Sequence, residues 1–126
     1  MSCVGVARAD VPAALGRARF GLNVTPDVAP FNRQTSVKTL EYAAAGLGII
    51  ANRYGWVEQF AADHGVPVLW LDDVLRGGRD AVGRLPVPVY DPQRLAHLEW
   101  NALLERAGFA AFVSTVSRNG AGVGAP

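Results

Sequence analysis

Residues 35–52 read Thr35-Ser36-Val37-Lys38-Thr39-Leu40-Glu41-Tyr42-Ala43-Ala44-Ala45-Gly46-Leu47-Gly48-Ile49-Ile50-Ala51-Asn52, and their punctuation decides the fold. Thr35 or Ser36 offers a hydroxyl oxygen to cap a helix over Val37–Ala45. Gly46 stands where a left-handed residue closes such a helix. Gly48–Asn52 then follows as an apolar run without alternation, the pattern of a strand buried on both faces. A helix handed straight to a buried strand is one half of a βαβ unit.

The same rhythm extends in both directions. Upstream, Phe20–Val24 is short, apolar and β-capable, and Thr25-Pro26-Asp27 stops it. Before it, Asp10-Val11-Pro12 reads as a helix start with Asp10 as N-cap, and the helical spacing runs on to Arg19. Val4–Val6 reads as a possible strand end. Downstream, Trp56–His64 has Val57, Phe60 and Ala61 on one face, and Gly65 ends it. Val66–Leu71 reads as a strand with Pro67 near its start. Asp72-Asp73 can cap a short helix that Gly77-Gly78 weakens, and Pro86–Tyr90 reads as extended. Asp91-Pro92 opens a helix to Arg106 with Leu95, Leu98, Ala102 and Leu103 on one face. This alternation predicts a Rossmann-like α/β domain, a parallel sheet of about four strands with helices on both faces. The domain is read over residues 1–107, with 108–126 as a flexible tail whose end, Asn119–Pro126, frays.

Composition excludes several classes. Of 126 residues half are apolar, too many for a disordered chain. The longest apolar stretches, Tyr42–Asn52 and Val66–Leu71, fall far short of the ~20 residues of a membrane span. No basic, apolar leader opens the chain. A net charge of +1 supplies no field for nucleic acid. Cys3 is the single cysteine, so an internal disulfide is excluded and a reducing, cytoplasmic setting is expected.

In open parallel sheets ligands bind outside the carboxyl ends of the strands. That singles out the loops Thr25–Ser36, Arg53–Trp56 and Asp72-Asp73. The first loop is the richest. Arg33, the hydroxyls of Thr35 and Ser36, and the orphan N–H groups of a helix N-terminus gather there, a natural seat for an anion. Lys38, the only lysine, opposes the dipole of an isolated helix, and a bound anion removes the conflict. Lys38 and Glu41 share a face, so a solvated Lys38–Glu41 ion pair with ordinary caps is the alternative.

Residues Ser36–Ile50 resemble the motif S-x-K-x-x-E-x-x-A-x-G-x-P-V-I of the donor-binding half of group 1-type, GT-B-fold glycosyltransferases that use nucleotide sugars. Tyr54-Gly55-Trp56-Val57-Glu58 resembles the family's later G-G-x-x-E, Val24-Thr25-Pro26 its strand-end P-S, and Asp10–Phe20 its preceding helix. Together these span roughly residues 5–106 in the family's order. The resemblance implies that Glu41 holds the donor ribose and that Ser36, Val37 and Lys38, with Thr35 beside them, face the diphosphate. It places Pro26 near the nucleoside and Glu58 at the donor. Arg33 and Lys38 are the candidate cations for the leaving diphosphate, with contact to an acidic sugar as the alternative for Arg33, and no metal and no cofactor beyond the nucleotide-sugar donor is expected. Three positions depart from the pattern. Arg33 stands where many relatives carry a first Glu, Gly48 replaces a Pro, and Tyr54 replaces a Gly. The family's first two βα units and its acceptor-binding N-terminal domain have no counterpart here. The chain is therefore expected to be a piece of such an enzyme, inactive alone and completed by that domain or a partner chain. A non-catalytic nucleotide- or phosphate-binding module is the rival reading, and a vestigial fragment the third.

Other candidates have plainer readings. His64 suits a helix C-terminus, His97 a solvated helix face, Asp72-Asp73 a cap, and Cys3 has no partner in sequence. Trp56, Trp70 and Trp100 read as packing residues.

Overall fold

The computed structural model describes residues 5–120, the side chains at 79, 81, 100, 101, 119 and 120 excepted. Cys3, Val4, residues 121–126 and the side chain of Trp100 therefore lie outside the description. Two compact units divide between Gln93 and Arg94, ahead of the boundary at 107 read from the sequence.

The first unit is α/β. A 3-10 turn at Arg8–Asp10 leads into α1 (Val11–Leu15), followed by β1 (Phe20–Asn23), α2 (Val37–Ala44), β2 (Gly48–Ala51), α3 (Gly55–His64), β3 (Val68–Trp70), α4 (Leu71–Arg76) and α5 (Arg79–Val82). The strands pair in parallel in the order β1-β2-β3, with Phe20 beside Gly48, Asn23 beside Ala51, and Ala51 beside Trp70. Every residue of β2 is buried, as its unbroken apolar run requires of a central strand covered on both faces. The sheet has three strands among the described residues, where about four were expected. Gly5 and Val6 are irregular, and Pro86–Tyr90 adds no strand.

Several boundaries follow from local chemistry. Ser36 caps α2, its Oγ accepting the Thr39 N–H at 3.3 Å. Gly46 (φ 71°) and Gly65 (φ 61°) take the left-handed conformation that closes α2 and α3. Asp10 caps nothing with its side chain, and α1 stops at Leu15 before Gly16 rather than running to Arg19. Asp72 and Asp73 sit inside the first turn of α4, where Asp73 bridges Arg76 at 2.9 Å.

A strap over residues 83–92 holds the amino end of the sheet. The Arg19 guanidinium donates to the carbonyls of Gly83 (3.4 Å) and Leu85 (3.2 Å). The Tyr90 hydroxyl donates to the Leu47 carbonyl (2.8 Å) and to that of Ala43 (3.3 Å), which also accepts from the Gly46 N–H at the end of α2. Burial pushes the Tyr90 phenol up from 10.0 to about 12. The folded chain then holds this proton more tightly than the unfolded chain. Stability from this group is complete below pH 10 and falls as pH rises toward 12. Tyr90→Phe is expected to lose about 1 kcal/mol at neutral pH and to flatten this alkaline decline. Urea midpoints measured on both proteins from neutral to alkaline pH test this. Equal alkaline slopes would show that Tyr90 ionises freely in the folded chain.

The second unit is helical. A 3-10 segment spans Pro92–Leu98, its first two residues still in the first unit, α6 spans Trp100–Arg106 and α7 spans Phe109–Gly120. The continuous helix expected over 91–106 is broken at Glu99, which is extended (φ −60°, ψ 147°). The Arg106 guanidinium takes the His97 carbonyl at 3.1 Å, an acceptor that an unbroken helix would spend on its own backbone. Residues 109–120, read from the sequence as tail, form a twelve-residue helix after the left-handed Gly108 (φ 65°).

Candidate functional site

Parallel strands carry their loops to one edge, and at the carboxyl end of β1 those loops border an open cavity of about 320 Å³. Asn23, Val24 and Thr25 form one wall, and Ser36, Val37 and Lys38 at the start of α2 form another. Phe31, Gln34 and Thr35 close the side, and Tyr54 reaches in from the loop before α3. The cavity thus joins a polar floor to an apolar rim of Val24, Phe31 and Val37.

The floor is a buried hydrogen-bond network centred on Asn23. Its Nδ2 donates to Thr39 Oγ1 and to Tyr54 Oη, both at 2.8 Å. Thr25 donates its hydroxyl to Asn23 Oδ1 at 3.2 Å. Thr39 passes its own hydroxyl proton to Ser36 Oγ at 3.1 Å. Asn23, Thr39 and Tyr54 are almost entirely buried. Such groups remain inside only when they satisfy one another, so the network locks β1, α2 and the loop before α3 together. Asn52 extends the pairing beyond the strands. Its Oδ1 accepts the Thr25 N–H (2.8 Å) and its Nδ2 donates to the Thr25 carbonyl (2.7 Å), as a neighbouring strand would.

Four of the residues marked out in the sequence, Thr35, Ser36, Val37 and Lys38, line the cavity. Four others do not belong to its lining. Arg33 ends the 3-10 turn Phe31–Arg33 and is exposed. Pro26 follows Thr25 and is exposed. Glu41 lies one turn along α2 on the surface, and among the described residues it makes no ion pair with Lys38. Glu58, in the first turn of α3, bridges Arg53 at 3.2 Å. The Arg53 guanidinium also lies 4.2 Å from the Trp70 ring centroid.

Asn23, Tyr54, Thr39 and Phe31 are the residues that sequence reasoning passed over. One signal for them was present. Asn23 is the polar residue in the apolar run Phe20–Val24, and Tyr54 is a departure from the glycine motif; the two are hydrogen-bonded.

The remaining candidates play packing parts. Trp56 stacks on Phe60 at 5.0 Å, and Phe60 meets the His64 ring at 5.1 Å. Among the described residues no three His, Cys, Asp or Glu side chains converge to hold a metal, and no helix is long and apolar enough to cross a membrane. Comparison with models of protein families, with curated proteins and with solved structures returns no match to this chain.

Proposed function

We propose that this chain binds a nucleoside-diphosphate sugar and forms the donor-binding part of a glycosyltransferase, its sheet belonging to a Rossmann-like domain. The observation that carries this reading is the cavity itself, which opens onto the first residues of α2 at the carboxyl end of β1. The N–H groups of Val37 and Lys38 have no acceptor within the helix and suit a diphosphate. Ser36 Oγ already accepts from Thr39, so it meets the ligand as a donor, with Thr35 beside it. In transfer, the bond from the anomeric carbon to the diphosphate oxygen breaks, its electron pair stays on the diphosphate, and the anomeric carbon bonds to an acceptor hydroxyl oxygen that gives up its proton. Lys38, with Arg33 from the adjoining turn, stabilises that charge. On this reading Glu41 takes the ribose hydroxyls, Pro26 meets the nucleoside and Glu58 meets the donor. The acceptor site comes from a further domain or a partner chain.

A second reading, a non-catalytic nucleotide- or phosphate-binding module, is favoured by one observation. Arg33, Glu41 and Glu58 stand outside the cavity lining. Calorimetric titration with pyrophosphate, nucleoside diphosphates and nucleotide sugars tests both readings. Lys38→Ala is expected to weaken all three by about tenfold, the loss of one charge-assisted contact. Glu41→Ala is expected to weaken the nucleosides and leave pyrophosphate unchanged. No pyrophosphate binding by the wild-type chain would sink both readings. Binding without sugar transfer, once an acceptor domain is supplied, would select the second.

A further inference from the structure

The second unit carries an unabsorbed feature. Phe109, Phe112, Val113 and Val116 recur at helical spacing along α7, forming one apolar stripe. The Phe109 and Phe112 rings lie 6.5 Å apart on it. All four are exposed, at 47%, 63%, 43% and 51%. A short helix draws most of its stability from covering such a stripe.

We infer that α7 is a self-association surface, on which α7 of a second copy of this chain docks antiparallel. The stripe is its own complement when reversed. About a twofold axis between residues 112 and 113, Phe109 faces Val116 of the second copy and Phe112 faces its Val113. Each ring then meets a small branched side chain, the pairing that lets helices approach closely. The charges agree with this register. Arg118 is the only charged residue of α7, and its Nε donates to the Ser114 carbonyl at 3.2 Å. A parallel pair would set Arg118 against Arg118, whereas the antiparallel register holds the two guanidiniums at opposite ends of the seam.

The area suits a weak dimer. The four side chains expose roughly 350 Å² of apolar surface, taking ~200 Å² for a whole Phe. That approaches the apolar share of a standard interface of about 800 Å² per partner. A membrane surface fits less well, because an interfacial helix carries several basic residues on its polar face and α7 has one.

Sedimentation velocity of the full chain over a range of concentrations tests the inference. The expected result is a reversible dimer with Kd on the order of 10 µM. Phe112→Asp should weaken it more than about thirtyfold with unchanged circular dichroism, since it buries a charge in the seam. Val89→Asp, at a position 98% exposed outside α7, should leave it unchanged. Val113→Asp, at the centre of the same stripe, should weaken it comparably. A wild-type monomer up to about 200 µM would overturn the inference. So would a dimer indifferent to Phe112→Asp, or capture of the monomer by anionic vesicles through α7. If Phe112→Asp disturbs the fold, the milder Phe112→Ala, expected to weaken the dimer about tenfold, decides.

Discussion

Asn23→Leu is expected to destabilise the first unit by about 3 kcal/mol, lowering its thermal midpoint by roughly 12–20 °C. Leu keeps the branched skeleton of Asn and is somewhat larger, so none of this is a cavity effect. The loss comes from what Asn23 leaves behind. Thr39 Oγ1 and Tyr54 Oη are both buried and both take their bond from Asn23 Nδ2 at 2.8 Å. Without that donor Tyr54 Oη faces an apolar group and Thr39 Oγ1 keeps only its bond to Ser36, and a stranded polar atom costs more than a hydrogen bond returns. Tyr54→Phe removes one of the stranded groups. The cost of Asn23→Leu should therefore fall by about 1 kcal/mol or more when measured in a Tyr54→Phe background. Urea denaturation of the four proteins of this cycle measures the coupling. Strictly additive losses would mean that water reaches the network and that Asn23 is not its hub. Because the network forms the cavity floor, the same variant should also weaken pyrophosphate binding. The Lys38→Ala variant, altered at an exposed position, should weaken binding with no change in stability.

The contrast between Lys38 and Asn23 explains how much of the site was legible. Thr35–Lys38 are neighbours in sequence, and helix-capping chemistry alone brings them to one place. Asn23, Thr39 and Tyr54 come from three segments, 16 and 31 residues apart. Nothing in local periodicity joins them. What was visible was an asparagine in an apolar run, and polar residues at such positions mark where a strand's carboxyl end meets other elements. The outward placement of Glu41 and Glu58 likewise depends on the rotation of α2 and on the Arg53–Glu58 pair, which spacing does not encode.

The fold was legible where a single residue dictates a boundary. Ser36, Gly46 and Gly65 bracket α2 and α3 for local reasons, and the uninterrupted Ile49-Ile50-Ala51 marks a strand covered on both faces. Legibility failed where a distant group intervenes. The run from 91 to 106 has helical period throughout, yet Arg106 captures the His97 carbonyl and Glu99 is extended. At 109–120 the helical period was present, but Gly108, Ser114, Thr115 and Ser117 weakened it, since hydroxyl residues compete for helix carbonyls. Ser114 and Thr115 do bond the carbonyls one turn back, at 2.9 Å each, without breaking the helix.

Gly21→Ala is expected to cost about 3 kcal/mol, more than its size suggests, because β1 and α2 meet there with no room for a methyl group. A Cβ on Gly21 would lie 2.7 Å from Tyr42 Cδ1 and closer still to Cγ and Cδ2. Cγ is the root of the ring, so swinging the ring's far end relieves nothing. Either Tyr42 changes its first torsion or α2 moves off the sheet, and the second displaces Ser36 and Lys38 from the end of β1. Gly48 offers a comparison on the adjacent strand. A Cβ there would lie 2.6 Å from Phe20 Cδ1 and 3.1 Å from Pro88 Cδ. Phe20 is only half-buried and its ring can yield, so Gly48→Ala should cost about 1–2 kcal/mol and leave the cavity in place. The cause is isolated by removing the ring. In a Tyr42→Ala background, Gly21→Ala should cost less than about 1 kcal/mol, although each substitution alone is destabilising. Chemical denaturation of the single and double variants measures this difference. An equal cost in both backgrounds would show that the penalty lies in the strand itself and that the β1–α2 contact does not set the position of the cavity wall.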